Sequence, residues 1–308
     1  MNIQLSRNNS LQFNRGLTDL IKFLSCLMIA LHHFSQIRGV EGASNLVYFL
    51  FATQGGYLGV AIFFFLSGYG LMKSEQAKHL TISAFLKKRL IKTYLPAVLV
   101  SALWAGYNVI GGGDKYDISL LKGIFWQFND EVLWFVRTII WLYLFFAIYN
   151  NIAKFRLLAL PVISIIAVWW TNSGLVHGGS VLMFFVGVSI AEHGNYWWQI
   201  ARKPISWAIC SIVVIALCVV FRSNMFVIHL MFDIVFIFAF IIFSAFYNID
   251  IQNYPHWLST CSYDIYLVHN KALMILRPLY TILPLLHFLI LTSLFTIIFY
   301  NLRKFLKL

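Results

Sequence analysis

The sequence predicts an all-α membrane protein, a polytopic bundle of about ten transmembrane helices that forms a single domain over residues 1–308. Three observations carry this expectation. Of the 308 residues, 60% are hydrophobic and 11% are charged, whereas soluble domains carry about 25% charged residues. The apolar residues fall in long continuous runs of roughly the length a membrane helix needs. The alternating segments of a membrane barrel are missing.

The predicted spans follow in order. The first, 17–35, is apolar enough to enter a bilayer yet carries Asp19, Lys22, His32 and His33. The second, 57–72, is rich in Gly and Phe. The segment 45–53 before it is too brief to span and reads as a re-entrant or interfacial piece. The third, 90–110, follows a basic cluster, and the fourth, 132–149, contains Arg137. The fifth and sixth, 157–171 and 175–191, are short, which suits a tilted or broken pair and leaves the count at ten give or take one. The remaining spans are 205–221, 225–247, 257–276 and 279–300. No connection is long enough to hold a soluble domain, and no internal repeat divides the chain.

Charge and cysteine content exclude several classes. The net charge of +12 looks like a nucleic-acid signal, but membrane proteins gather Lys and Arg on cytoplasmic segments. With the N-terminus inside, fifteen of the 23 basic residues fall on inner segments and six on outer ones, with Lys22 and Arg137 inside spans. Both termini are therefore expected in the cytoplasm, with no nucleic-acid partner. Cys26, Cys210, Cys218 and Cys261 lie in or beside apolar runs without a CxxC pair and read as small buried residues. The Asp19 and Lys22 interruption argues against a cleaved signal peptide. No His, Cys, Asp or Glu spacing suggests a metal, and no P-loop or dinucleotide fingerprint is present.

Polar residues inside a span are costly and are functional candidates by default. Lys22 and His33 stand eleven residues apart, about three turns, so they share a face roughly 16 Å apart along the axis. Asp19 can pair with Lys22 at i,i+3. A cation at the inner end and a His deeper could hold an anionic group and exchange a proton. A lone His is more simply a satisfied helix contact, and the shared stripe is what favours function. His32, rotated about 100° from His33, reads as structural. In Phe85–Pro96, Arg89 and Lys92 share a face at i,i+3 with Pro four residues on. Cytoplasmic anchoring accounts for the charge, and a phosphate site accounts for the spacing as well. Gly55 and Gly59 suit close helix packing. Ser67 lacks the strand–turn–helix context of a nucleophile elbow. Arg137, near the outer end of its span, needs Glu131 or another anion as partner. Asp264 and His269 lie in the apolar segment SYDIYLVHN, and Asp233 lies mid-span.

In order along the chain, these motifs resemble the integral-membrane acyltransferase family three, which includes bacterial polysaccharide O-acetyltransferases. The basic-x10-His pattern is Lys22 and His33, with Lys where Arg is usual; Lys keeps the charge but loses the planar fork. The glycine-rich stretch ending F-F-x-L-S-G is Gly56 to Gly68. Phe85, Arg89, Lys92 and Pro96 match the third motif, again with Lys for Arg at one position. Leu133–Phe135 match the L-W-F segment, with Glu131 near a position often occupied by His. Ser262, Tyr263, Tyr266, Leu267 and His269 match the late S-Y-x-x-Y-L-x-H segment. The resemblance implies transfer of an acyl group, most often acetyl, from cytoplasmic acyl-coenzyme A to a hydroxyl of an outward-facing glycan or lipid-linked sugar. It implies His33 as catalytic and Lys22, Arg89 and Lys92 as contacts to acetyl-CoA, a donor substrate and not a permanent cofactor. Asp19, Glu131, Arg137, Tyr263 and His269 are left as substrate-contacting or structural polar residues. The expected location is the inner (plasma) membrane. A proton-coupled secondary transporter is the alternative, since transporters also carry buried His and Asp on broken helices.

Overall fold

A computed structural model describes residues 2–7, 13–38, 55–111, 118–127, 133–152, 156–171, 178–205, 208–209, 211–212, 216, 233–235, 237–241, 247–252, 254–255, 257–276 and 283–308. Its main elements are β1 (Asn2–Arg7), α1 (Arg15–Arg38), α2 (Gly55–Ala77), α3 (Ile82–Ile110), α4 (Ile118–Lys122), α5 (Trp134–Asn151), α6 (Arg156–Thr171), α7 (Gly178–Glu192), α8 (Gly194–Ala201), β2 (Tyr247–Gln252), α9 (Trp257–Leu276) and α10 (Pro284–Phe305). Four described helices, α1, α2, α3 and α10, are long and apolar enough to cross a membrane. The expected seventh and eighth spans, the re-entrant segment 45–53 and Glu131 lie wholly or largely outside the described residues.

Helix boundaries follow local chemistry. Asn14 caps α1, its Oδ1 accepting from Leu17 N–H at 2.7 Å, which satisfies a backbone donor the helix leaves open. Thr81 caps α3 in the same way through Ala84 N–H. Pro284 stands in the first turn of α10, where its missing N–H costs nothing. Pro96 sits inside α3 and has no N–H to donate, and its ring crowds the carbonyl four residues back. The helix absorbs this in a π-turn over Leu90–Tyr94, in which Leu95 N–H donates to the Leu90 carbonyl. Such turns recur at functional sites.

The fold is all-α as expected, with one short ribbon added to the helices. β1 and β2 pair antiparallel, Asn2 opposite Gln252 through Arg7 opposite Tyr247. Tyr247, the last residue of the expected eighth span, is instead the first residue of β2. The ribbon closes under the start of α1, where Gly16 lies against the Ile251 carbonyl with no room for a Cβ.

The main core is an aromatic-rich cluster centred on α2, α5, α7 and α9, and a smaller one joins Ala30 and Phe34 of α1 to Leu273 and Leu276 of α9 and Phe288 of α10. α2 is its axis, meeting α1 on one side and α7 on the other. Gly56 and Gly59 make the approach to α1, against the His32 ring and the Ser25 carbonyl; the expected pair was Gly55 and Gly59. On the other side, Gly68 lies on the Phe184 carbonyl and Gly187 on the Phe65 carbonyl. Backbones this close require small residues at both positions.

Candidate active site

Two cavities lie along the inside of the bundle. One, of about 280 Å³, is lined by His32, His33, Gln36, Tyr57, Trp134 and Tyr266 among others. The second, of about 480 Å³, is lined by Lys22, Lys92, Thr93, Tyr143, Arg303 and Lys304 among others. Four helices serve both. α1 gives His33 to the first and Lys22 to the second, α2 gives Val60 and Phe63, α5 gives Trp134 and Phe135, and α9 gives Tyr266 and Tyr263. Phe135 packs edge-on against Tyr266 and Phe63, at centroid distances of 5.3 and 5.8 Å, so aromatic rings partition the two spaces. The end of α10 returns to the second cavity with Tyr300, Arg303 and Lys304. The start of the first helix and the end of the last thus meet at one face of the bundle.

His33, in the lining of the first cavity, meets a second histidine 236 residues away in sequence. His33 Nδ1 lies 3.0 Å from His269 Nε2. His269 is fully buried, and its Nδ1 faces the Tyr266 carbonyl at 2.7 Å and the Ile265 carbonyl at 3.2 Å. Carbonyl oxygens only accept, so Nδ1 of His269 carries the proton of its neutral ring. Its Nε2 is then an acceptor, and His33 Nδ1 donates to it. The lone pair of neutral His33 is consequently on Nε2. The tautomer follows from the hydrogen-bond pattern. His32 packs edge-on to Tyr57, 5.8 Å between centroids, and fills the space left by Gly56.

The second cavity is basic. Lys22 and Lys92, singled out by the sequence, face it together with Arg303 and Lys304, which were not. Arg303 is held in place by buried Asp264. Its Nη2 donates to Oδ2 at 2.9 Å, and its Nε stands 2.8 Å from Oδ1 in an ion-pair contact without hydrogen-bond alignment. Tyr263 donates its hydroxyl to the Thr93 carbonyl at 2.6 Å, clamping α9 to the π-turn that presents Thr93 and Lys92. Arg89 stands behind this wall, its guanidinium over the rings of Phe85 and Tyr143 at 5.6 and 5.9 Å. Asp19 takes Arg15 at 3.6 Å and a hydrogen bond from Tyr254 at 2.9 Å; the expected partner was Lys22, which faces the cavity instead. Arg137 is half-buried in the first turn of α5, at the end that carries Trp134. Among the described residues, no group of three or more His, Cys, Asp and Glu side chains is arranged to hold a metal ion.

Arg303 and Lys304 were missed because their place in the last turn of a predicted cytoplasmic end reads as anchoring charge. Asp264, buried in an apolar helix, was the available sign that a cation would come to it.

The described fold is thus a helical bundle, with helices long and apolar enough to cross a membrane, that holds a buried histidine pair and a basic cavity. A family model described as an acyltransferase domain matches residues 18–302, and the chain belongs to that family, acyltransferase family three. Comparisons with curated proteins and with solved structures gave no match.

Proposed function

We propose that the protein moves an acyl group, acetyl in the simplest case, from cytoplasmic acyl-coenzyme A to a hydroxyl of a cell-surface or exported glycan or lipid-linked sugar. The observation that carries the reading is the His33–His269 pair, whose His33 lines a cavity next to a second, basic cavity. The basic cavity takes the donor: Lys22, Lys92, Arg303 and Lys304 meet its phosphates as charge-assisted partners. Arg89 lends its charge from behind Tyr143. The smaller cavity takes the acceptor. Its volume is at the small end of ligand cavities, which run from roughly 300 to 1,000 Å³, and this suits one sugar ring. Tyr57 and Trp134 offer the ring faces that sugars stack on.

The chemistry follows from the tautomer. His33 Nε2 takes the proton of the acceptor hydroxyl as its oxygen attacks the thioester carbonyl carbon. The C–O bond forms, the C–S bond breaks, and the departing thiolate receives the proton from His33. His269 Nε2 accepts from His33 Nδ1–H throughout and steadies the imidazolium while it exists, in the manner of the orienting residue of a catalytic triad. A proton-coupled transporter would need neither a cluster of four cations at one cavity nor membership of an acyltransferase family.

The test uses membranes carrying the native chain or His33→Ala, supplied with labelled acetyl-coenzyme A and glycan extracted from the source cells. Free coenzyme A and labelled glycan are followed together. The expected loss of both in the variant is about 10²–10⁴-fold, the usual range for a general base. A native protein that releases no coenzyme A and labels no glycan overturns the reading.

A further inference from the structure

One residue in the lining of the smaller cavity belongs to a buried polar pair with no part in the chemistry above. Ser180, in the first turn of α7, lines that cavity and is 3% exposed. Its Oγ–H donates to Asp233 Oδ2 at 2.9 Å. Asp233 is 1% exposed, and among the described residues its Oδ1 meets no hydrogen-bond partner. A carboxylic side chain in the apolar interior of a membrane protein is costly and is retained where it serves a site. Asp233 itself does not line the cavity, so it acts there only through Ser180.

A serine hydroxyl has one proton and two lone pairs. Asp233 takes the proton. What Ser180 can then turn to the cavity is a lone pair, an acceptor that only an O–H or N–H donor of a ligand can satisfy. This is a directional contact, unlike the stacking surfaces of Tyr57 and Trp134, which tolerate any ring. The pair is also fixed to the rigid part of the molecule, since α7 is pinned to α2 by the Gly68 and Gly187 approaches. A hydroxyl bound at Ser180 therefore has a fixed position relative to His33, since α1 packs on α2 as well and His33 lines the same cavity.

Resting on the acyl-transfer reading of this cavity, we infer that Ser180, oriented by Asp233, reads one hydroxyl of the acceptor sugar and so selects which other hydroxyl of the ring reaches His33. Ser180 is the specificity contact; Asp233 is a positioning residue. Removing a hydrogen bond of this kind is worth roughly three- to tenfold in binding, and it falls on the acceptor because the charged groups that hold the donor line the other cavity.

The experiment measures steady-state transfer from labelled acetyl-coenzyme A to the source-cell glycan by the full chain in lipid nanodiscs, varying each substrate in turn. Ser180→Ala is expected to raise the KM for glycan three- to tenfold and to leave the KM for acetyl-coenzyme A unchanged. It is also expected to spread the label over more than one hydroxyl of the ring, read by NMR of the product. Asp233→Leu is expected to match Ser180→Ala, and Asp233→Asn, which keeps an accepting oxygen, to restore most of the native KM. A Tm within a few degrees of native in the nanodisc reports that each variant is folded. A glycan KM in Ser180→Ala within twofold of native, or equal changes in both KM values, overturns the inference while the acyl-transfer reading stands. A native protein that labels no glycan overturns that reading and this inference with it.

Discussion

A histidine serves as a base when one ring nitrogen keeps its lone pair and the other is held by an acceptor. His33 meets the second condition through His269, and His269 meets it through the Tyr266 carbonyl in its own helix. The orientation is thus passed from a backbone carbonyl through two rings. His269→Leu removes the acceptor and leaves the His33 N–H facing a hydrocarbon. The expected result is a fall in kcat of about 10²-fold or more, within the range a general base supplies, with the KM for acetyl-coenzyme A unchanged. His269→Gln, whose side-chain oxygen can accept the same bond, is expected to recover part of the rate. Equal rates for the Leu and native proteins would remove His269 from the proposed relay. The sequence singled out both histidines, but the spacing within α1 says nothing about a residue 236 positions away, so their pairing was not legible. His32, read as structural, fills the gap left by Gly56 and also lines the cavity, because a Gly-poor neighbour would have pushed the ring aside.

At the scale of elements, two features decide where the site residues stand. The π-turn in α3 is a consequence of Pro96, and it turns both Lys92 and Thr93 toward the basic cavity. The motif spacing of Arg89, Lys92 and Pro96 was legible as a tight pattern; its cause, an extra residue in the turn ahead of a proline, is visible only in the backbone. Arg89 consequently packs on Phe85 and Tyr143 while Lys92 reaches the cavity. The second feature is the crossing of α2 and α7. A Cβ on Gly68 would overlap the Phe184 carbonyl, whereas one on Gly70 meets nothing within 4 Å. Gly68→Ala is expected to lower stability by about 1–3 kcal/mol, the cost of overpacking, seen as a fall in Tm of the detergent-solubilised protein. Gly70→Ala is expected to be neutral or stabilising, since Ala is the better helix former. A Gly68→Ala Tm equal to that of Gly70→Ala would contradict this crossing. The β1–β2 ribbon was missed although Ile3 and Leu5 alternate with polar residues and Ile249 and Ile251 do the same. Six-residue alternations at the edge of long apolar runs are outweighed by the hydropathy around them.

For the whole molecule, the helix directions agree with one another. From Lys22 to His33, α1 runs from the basic cavity to the smaller one, and α9 runs the same way from Tyr263 to Tyr266. α2 and α5 run back, from Val60 to Phe63 and from Trp134 to Phe135, and α10 ends at the basic cavity. Lys22, Arg303 and Lys304 therefore mark one face, and Gln36 and Trp134 the other. We propose that the first face is the cytoplasmic one, because the segments around it carry the excess of Lys and Arg that the positive-inside rule places there. This orientation can be tested without knowing the acceptor. In a background with Cys210, Cys218 and Cys261 replaced by Ser, which leaves only the buried Cys26, Lys304→Cys and Gln36→Cys are treated separately with a maleimide that cannot cross membranes. Lys304→Cys is expected to label in inverted vesicles and to be protected by acetyl-coenzyme A. Gln36→Cys is expected to label only from the outer side of intact cells, with no protection. Labelling of both positions from the same side would break the stacking of the two cavities across the membrane. Labelling with the sides exchanged would reverse the orientation, and failure of acetyl-coenzyme A to protect Lys304→Cys would move the donor out of the basic cavity.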